Sequence, residues 1–426
     1  MDSHNICSSN RPTDIQGAEE TAPLIGELKP IHPPSVDGRA GCETWSVEFS
    51  PDGSYFAWSK GYGIVQLLRW PLQGIGWHGT AQLPDRGKEK TLDCGQTVWG
   101  LAFGPRTSKF ARRTNDFKLR ELNEIAQPLL LATGLSNGAI KVWEVETGHL
   151  CFNLSGHQSV VRDLVFAPNG SLTLVSGSRD TTLRIWDLNK SDKTAQVLSG
   201  HTNWVYSVSV SPDCSMIASV CRGNPKVFLW SLRSYTFIRN LKSSDTFQVS
   251  CDFSPDGALL VTAAYFDNWE TSLWDPYTGE HLFKLQECVQ CNCTIMDNPI
   301  KAVRFSSEGL HLAFITEDRE LRVWELGEDE PLIESKLRHF SCGLCCTFHP
   351  QGGVIATGTR DGHVKFWSVP QVVPSLLHFC RMALRFSIST HQVMALPIPT
   401  KIKDILTYRN YQDSYDLLCS HHRWRQ

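Results

Sequence analysis

The sequence predicts an all-β fold, a seven-bladed propeller of four-stranded blades, with a small α-helical module after it. One cadence returns seven times: an alternating apolar strand, a Pro/Asp/Gly turn, then a second apolar strand, as in "VEFSPDGSYFAWS", "LVFAPNGSLTLVSGS" and "CTFHPQGGVIATGT". The first strands of the copies end at Phe49, Phe103, Phe166, Val210, Phe253, Phe305 and Phe348. A tryptophan closes each copy, at Trp70, Trp143, Trp186, Trp230, Trp274, Trp324 and Trp367, and from Trp143 onward the intervals are 43, 44, 44, 50 and 43 residues. That period, with Gly-His before and Trp-Asp after, is the signature of a propeller blade. The stretch "VVPSLLHFCRMALRF" at 372–386 then breaks the pattern with a helical period.

Ring closure follows from what is missing. Only "SVPQ" separates Trp367 from the helical stretch, so the last blade has no outer strand of its own. "APLIGELKP" at 22–30 has the length and pattern to supply that strand, and closure this way leaves no sheet edge open. The propeller is then expected over 22–369, after a disordered tail at 1–21, with solvated insertions at 71–92 and 104–127.

Composition narrows the function classes. The chain has 426 residues, 41% hydrophobic and 20% charged, which suits a folded repeat architecture plus an extra module. A net charge of −3 gives no electrostatic footprint for nucleic acid or a membrane surface. No apolar run approaches the roughly 20 residues that span a bilayer, and the N-terminus carries no secretory signal pattern. An intracellular protein, cytosolic or nuclear, is expected, its 15 cysteines mostly buried thiols. Cys288, Cys291 and Cys293 in "CVQCNC", and Cys342 with Cys345 in "CGLCC", have metal-like spacing. A zinc site wants four convergent ligands, and Cys342 and Cys345 would face opposite sides of a strand, so no metal or cofactor is expected.

The third copy, "SGHQSVVRDLVFAPNGSLTLVSGSRDTTLRIWD", resembles the WD-repeat family at every marker position. The resemblance implies that His157, Ser176, Asp180 and Trp186 form the buried hydrogen-bond relay of a WD blade. Such a relay leaves no orphan polar atom inside the sheet stack. A Ser/His/Asp set can also suggest a hydrolase, but this one sits in a repeat and no GxSxG turn presents a nucleophile. Other copies are degenerate: the fourth keeps His201 and Ser219 but has "CRGNPK" in place of the Asp turn.

After Trp367, Pro374 suits a first helical turn and Ser375 can cap it. Leu376, Cys380 and Leu384 fall four apart on one apolar stripe, widened by Leu377, Phe379 and Ala383, with Arg381 and Arg385 elsewhere. "SLLHFCRMAL" and then "VMALPIPTKIKDILTY" resemble the two halves of a SOCS box, here 372–408, with 409–426 left unassigned. Propeller plus box resembles the WD repeat and SOCS box-containing proteins. That resemblance implies a non-catalytic substrate-recognition subunit of an elongin–cullin–SOCS box ubiquitin ligase. Leu376, Cys380 and Leu384 would meet elongin C, which comes with elongin B. Leu396, Pro397, Ile398 and Pro399 would select cullin-5 with its RING subunit. The alternative is a WD-repeat scaffold in which 372–408 only caps the propeller.

A target protein needs its own surface. Four residues before the strand-ending residue stand Trp45, Trp99, Arg162 and Tyr206 in consecutive copies, residue types that dominate binding hot spots. With Arg179 and Arg360, each just before a turn Asp, they are the candidate substrate-binding set. Strict strand alternation would turn the first four into the core; a bulge in each strand would re-aim them.

Overall fold

The computed structural model describes residues 23–30, 41–72, 89–104, 128–190, 193–223, 226–242, 247–264, 271–285, 300–316, 321–328, 331–335, 343–371 and 374–410. Seven antiparallel four-stranded sheets follow one another: blade 1 at 47–93, blade 2 at 98–154, blade 3 at 161–199, blade 4 at 205–242, blade 5 at 248–285, blade 6 at 300–334 and blade 7 at 343–368. The seven first strands end at the predicted Phe and Val positions and pack side by side around the axis. The apolar core lies between blades. Leu130 and Val142 of blade 2 meet Phe166 and Trp186 of blade 3, and Phe49 and Phe56 of blade 1 meet Ala356 and Phe366 of blade 7. A blade alone would leave these faces in water, so each needs its neighbours.

The fourth strand of blade 7 is Leu24–Leu28, antiparallel to Val364–Ser368, with Leu28 opposite Val364. His363 Nδ1 bonds the Glu27 carboxylate at 2.7 Å across that seam. In blade 1 the end of the 71–92 stretch is blade rather than insertion. Lys90–Asp93 pairs with Ile64–Arg69, because "KTLD" alternates and buries Leu92. Residues 73–88 and 105–127, the rest of the two expected insertions, lie outside the described residues, as do 1–22, Cys288, Cys291, Cys293 and Cys342. Trp70 is not the blade-end tryptophan its spacing suggested. Leu68, opposite Phe56, holds the place that Trp186 holds opposite Leu174. Trp70 lies past the strand and meets Phe49 edge-on.

Blade 3 carries the full relay. His157 bonds Asp180 at 2.7 Å through Nδ1 and Ser176 Oγ at 2.8 Å through Nε2, and Trp186 Nε1 donates to the same Oγ at 3.0 Å. Burial works against an ionised Asp180, but His157, Thr182 and the Gln158 N–H hold its carboxyl well below the usual range. In blade 4, His201 and Trp230 both bond Ser219 Oγ, at 2.7 and 2.8 Å, and among the described residues no carboxylate continues the chain from His201 Nδ1. Burial pushes the His201 imidazole down to about 4. Its folded pKa lies below its unfolded value, so its neutral form favours folding above about pH 6.5 and that contribution is lost as pH falls toward 4. The loss at pH 5 relative to pH 7 should be about 2 kcal/mol. Urea midpoints at the two pH values, in wild type and His201→Gln, check this. A wild-type pH difference no larger than the variant's would rule the mechanism out.

Candidate functional site

Three helices follow the ring: α1 (Leu376–Arg385), α2 (Thr390–Ala395) and α3 (Thr400–Leu406). Ser375 caps α1 by accepting the His378 N–H, and Ser389 with Gln392 forms a capping box on α2. Leu396 (φ −66°, ψ 143°) and Pro399 (φ −56°, ψ 143°) bound the extended "LPIP" step before α3. Proline fixes φ there and restricts its predecessor, which sets the angle of α3. Val393 and Leu406 are buried, and α3 packs on both other helices.

The orientation of α1 reverses ordinary amphipathic logic. Its polar face is the buried one: His378, Arg381 and Arg385 are 3%, 4% and 3% exposed. Its apolar stripe faces solvent, with Leu376 79% exposed and Leu377, Phe379, Cys380 and Leu384 open beside it. The buried face is held by specific contacts. His378 Nε2 donates to the Glu308 carbonyl at 2.7 Å, and Arg381 stacks 4.2 Å from the Tyr408 ring centroid. Arg385 donates to Thr390 Oγ1 at 2.8 Å and lies over Tyr277. Tyr408, 1% exposed, enters the apolar core of blades 5 and 6 beside Leu259, Phe305 and Leu312, and its hydroxyl donates to Asp256 Oδ2 at 2.8 Å. Arg409 pairs with Glu280 and reaches Asp275 at 3.6 Å. Long cationic side chains can do this because their stems and π faces bury well, although Arg385 Nε and Nη1 find no hydrogen-bond partner among the described residues.

Asp256 and Glu308 lie on turns between the first and second strands of their blades, and Asp275 and Tyr277 on a turn between the third and fourth. In an antiparallel meander those turns share one rim. The starts of the first strands, and the turns between second and third strands, share the other rim.

The candidate substrate residues lie on that other rim. Each first strand from blade 2 onward slips register near its start: between Val98 and Gly100, Val161 and Asp163, Val205 and Ser207, and likewise in blades 5, 6 and 7. The skipped residues include Trp99, Arg162 and Tyr206, which the bulge turns out of the core alternation while leaving them half-buried. Trp45 and Trp99 stack at 4.2 Å. The Arg162 guanidinium lies 5.2 Å from Trp45, 4.9 Å from Trp99 and 5.3 Å from Tyr206. Arg179 lies 4.6 Å from Trp99 and 4.7 Å from Trp204, and Arg222 continues at 5.5 Å from Trp204. Burial, with Arg179 adding to it, presses the Arg162 pKa below its ordinary value. Arg360 is on the matching turn of blade 7, exposed, and outside this stack among the described contacts. Sequence reasoning missed Trp204 and Arg222. The signal for Arg222 was present, since "SRD", "CRG" and "TRD" put arginine at one turn position in blades 3, 4 and 7.

Comparison with known proteins matches this architecture. The WD domain, G-beta repeat family matches residues 148–187, 192–231 and 335–368, and the SOCS box family matches 372–407. The chain is 44% identical to human WD repeat and SOCS box-containing protein 1, over 90% of this chain and 96% of the relative. It is 43% identical to the Danio rerio protein of that name, over 91% and 96%. A Dictyostelium discoideum serine-threonine kinase receptor-associated protein is 28% identical over 55% of this chain and 74% of its own. Among the described residues no helix is long and apolar enough to cross a membrane. A seven-bladed propeller carrying a docked three-helix SOCS box, with 44% identity to a relative over 90% of the chain, settles the family: the chain belongs to the WD repeat and SOCS box-containing proteins.

Proposed function

We propose that this chain is the substrate receptor of an elongin–cullin ubiquitin ligase, with no catalysis of its own. Its α1 stripe recruits elongin C with elongin B, and the "LPIP" step with α3 selects cullin-5 and its RING subunit. The observation that carries this is the reversed α1, which spends its basic face on the propeller and leaves Leu376, Cys380 and Leu384 open to solvent. A helix kept only as a cap would bury that stripe, since apolar surface left in water forgoes about 25 cal/mol per Å². Leu376 is the anchor for an apolar pocket, and the small Cys380 one turn later allows close helix approach. The exposed Leu396 and Pro397, with Ile398 half-buried and Pro399 fixing the turn into α3, form the second contact. The bulged aromatic and arginine residues of the opposite rim take the target protein.

Co-expression with elongins B and C tests the assignment. Wild type should co-purify with both, and Leu376→Ala with Cys380→Ala should weaken capture roughly thirtyfold or more, as for a hot-spot anchor. The melting temperature should barely move, because both side chains are already exposed. Undiminished capture, or a propeller that melts early, would favour the scaffold reading.

A further inference from the structure

The stack of Trp45, Trp99 and Trp204 with Arg162, Arg179 and Arg222 has an unusual division of labour. The guanidinium carbons lie 4.6 to 5.5 Å from aromatic ring centroids, so the cations sit over π faces rather than against carboxylates. Among the described residues none of the three arginines has a carboxylate within ion-pair distance. The acids nearest in sequence are engaged elsewhere. Asp163 accepts the Val208 N–H at 2.9 Å, and Asp180 is held by His157 and Thr182. The chain as a whole is slightly acidic, at −3, so this positive rim is local rather than a general surface property.

A guanidinium held over a ring can turn its N–H edge outward, and that edge matches the planar fork of a carboxylate in two parallel hydrogen bonds. The rings between the arginines lower the local dielectric, which strengthens such a pair, and offer a surface for an apolar neighbour. Arg179 and Arg222 occupy the same turn position of adjacent blades and are bridged by one indole, Trp204. They therefore form a row rather than a single pocket. A row of cations bounded by flat rings fits an extended chain with acidic side chains at intervals, not a compact polyanion, which would need donors converging from several sides.

We propose that this rim binds an acidic linear segment of the target protein, with Asp or Glu carboxylates on Arg179 and Arg222 and an apolar residue against the Trp45–Trp99 pair. This rests on the substrate-receptor reading, but concerns only the propeller's ligand.

The test uses the full chain co-purified with elongins B and C. Random twelve-residue peptides displayed on phage are selected on it, and the enriched sequences are resynthesised with a fluorophore. Each is measured by fluorescence polarisation beside its Asn/Gln counterpart and beside a version with phosphoserine at the acidic positions. Selection should enrich Asp and Glu. The Asn/Gln exchange should weaken binding by tens-fold, and Arg179→Gln or Arg222→Gln should do the same, as for truncation of one partner of a charge pair that the bound peptide covers. Arg222 is exposed, so its variant reports on binding even if Arg179→Gln folds poorly. Selected peptides without acidic enrichment, Asn/Gln counterparts that bind equally, or binding that survives both variants would each overturn the proposal. So would a requirement for the phosphoserine form. Loss of elongin capture is scored separately, so failure of the receptor reading and failure of the acidic-segment proposal remain distinguishable.

Discussion

Replacing Tyr408 with alanine should free the C-terminal helices from the propeller. Among the described residues Tyr408 is the one SOCS-box side chain in the apolar cluster of blades 5 and 6, and its hydroxyl closes on Asp256. Asp256 also accepts from Ser254 Oγ and from the Ala258 N–H, so the same carboxylate shapes the blade turn and receives the module. Truncation removes a fully buried aromatic ring, which costs about 3–5 kcal/mol. It also removes the surface on which Arg381 stacks and leaves part of Asp256 without its donor. Tyr408→Phe keeps the ring and should cost only about 1–2 kcal/mol. Hydrogen exchange reads the difference: amides of α1 to α3 should lose protection in the alanine variant while blades 1 to 3 keep theirs. Helices that stay protected in Tyr408→Ala would mean that His378 and Arg409 suffice for docking. Elongin capture should survive release, because the recruiting stripe lies on the far side of α1 from Tyr408.

The second large effect is expected in blade 3. His157→Ala leaves the half-buried Asp180 without its main partner and the buried Ser176 Oγ with one bond fewer. Losing a hydrogen bond to a charged group costs about 1.5–3 kcal/mol, and the one to Ser176 about 1 more. In blade 4, His201→Ala disturbs a shorter chain with no carboxylate, and Trp230 still donates to Ser219, so the cost should be about 1–2 kcal/mol. Urea denaturation at neutral pH should therefore rank His157→Ala well below His201→Ala. Equal costs would show that the Asp180 link adds nothing to the blade.

The seven strand ends were legible because a Phe or Val before a Pro/Asp/Gly turn is a local signal, read without knowing the ring. Trp70 misled because spacing alone cannot see strand register, and register put Leu68 in its place. The fate of Trp99, Arg162 and Tyr206 turned on one backbone irregularity. With an ideal period of two they belong to the core; with one slipped pair they join a stack across four blades. In α1 the period alone gave the stripe, and only the resemblance to a SOCS box turned that stripe outward. Hydrophobicity alone chooses the apolar face for burial. Here Tyr408, Asp256 and the Glu308 carbonyl, remote in sequence, give the basic face a better site.

The seam between Leu24–Leu28 and Val364–Ser368 orders events during synthesis. Glu27 and His363 are 336 positions apart, so the strand at 24–28 must wait for that length of chain to be made before it meets its partner. Until then the nascent propeller is an open arc with one unmatched edge at each end, the condition in which sheet edges recruit foreign strands. The docking surface for the C-terminal helices is built earlier, on blades 5 and 6, and those helices emerge only after residue 368. Closure of the ring, which needs residues 364–368, and docking of the module, which needs 376–409, are thus late and nearly coincident steps.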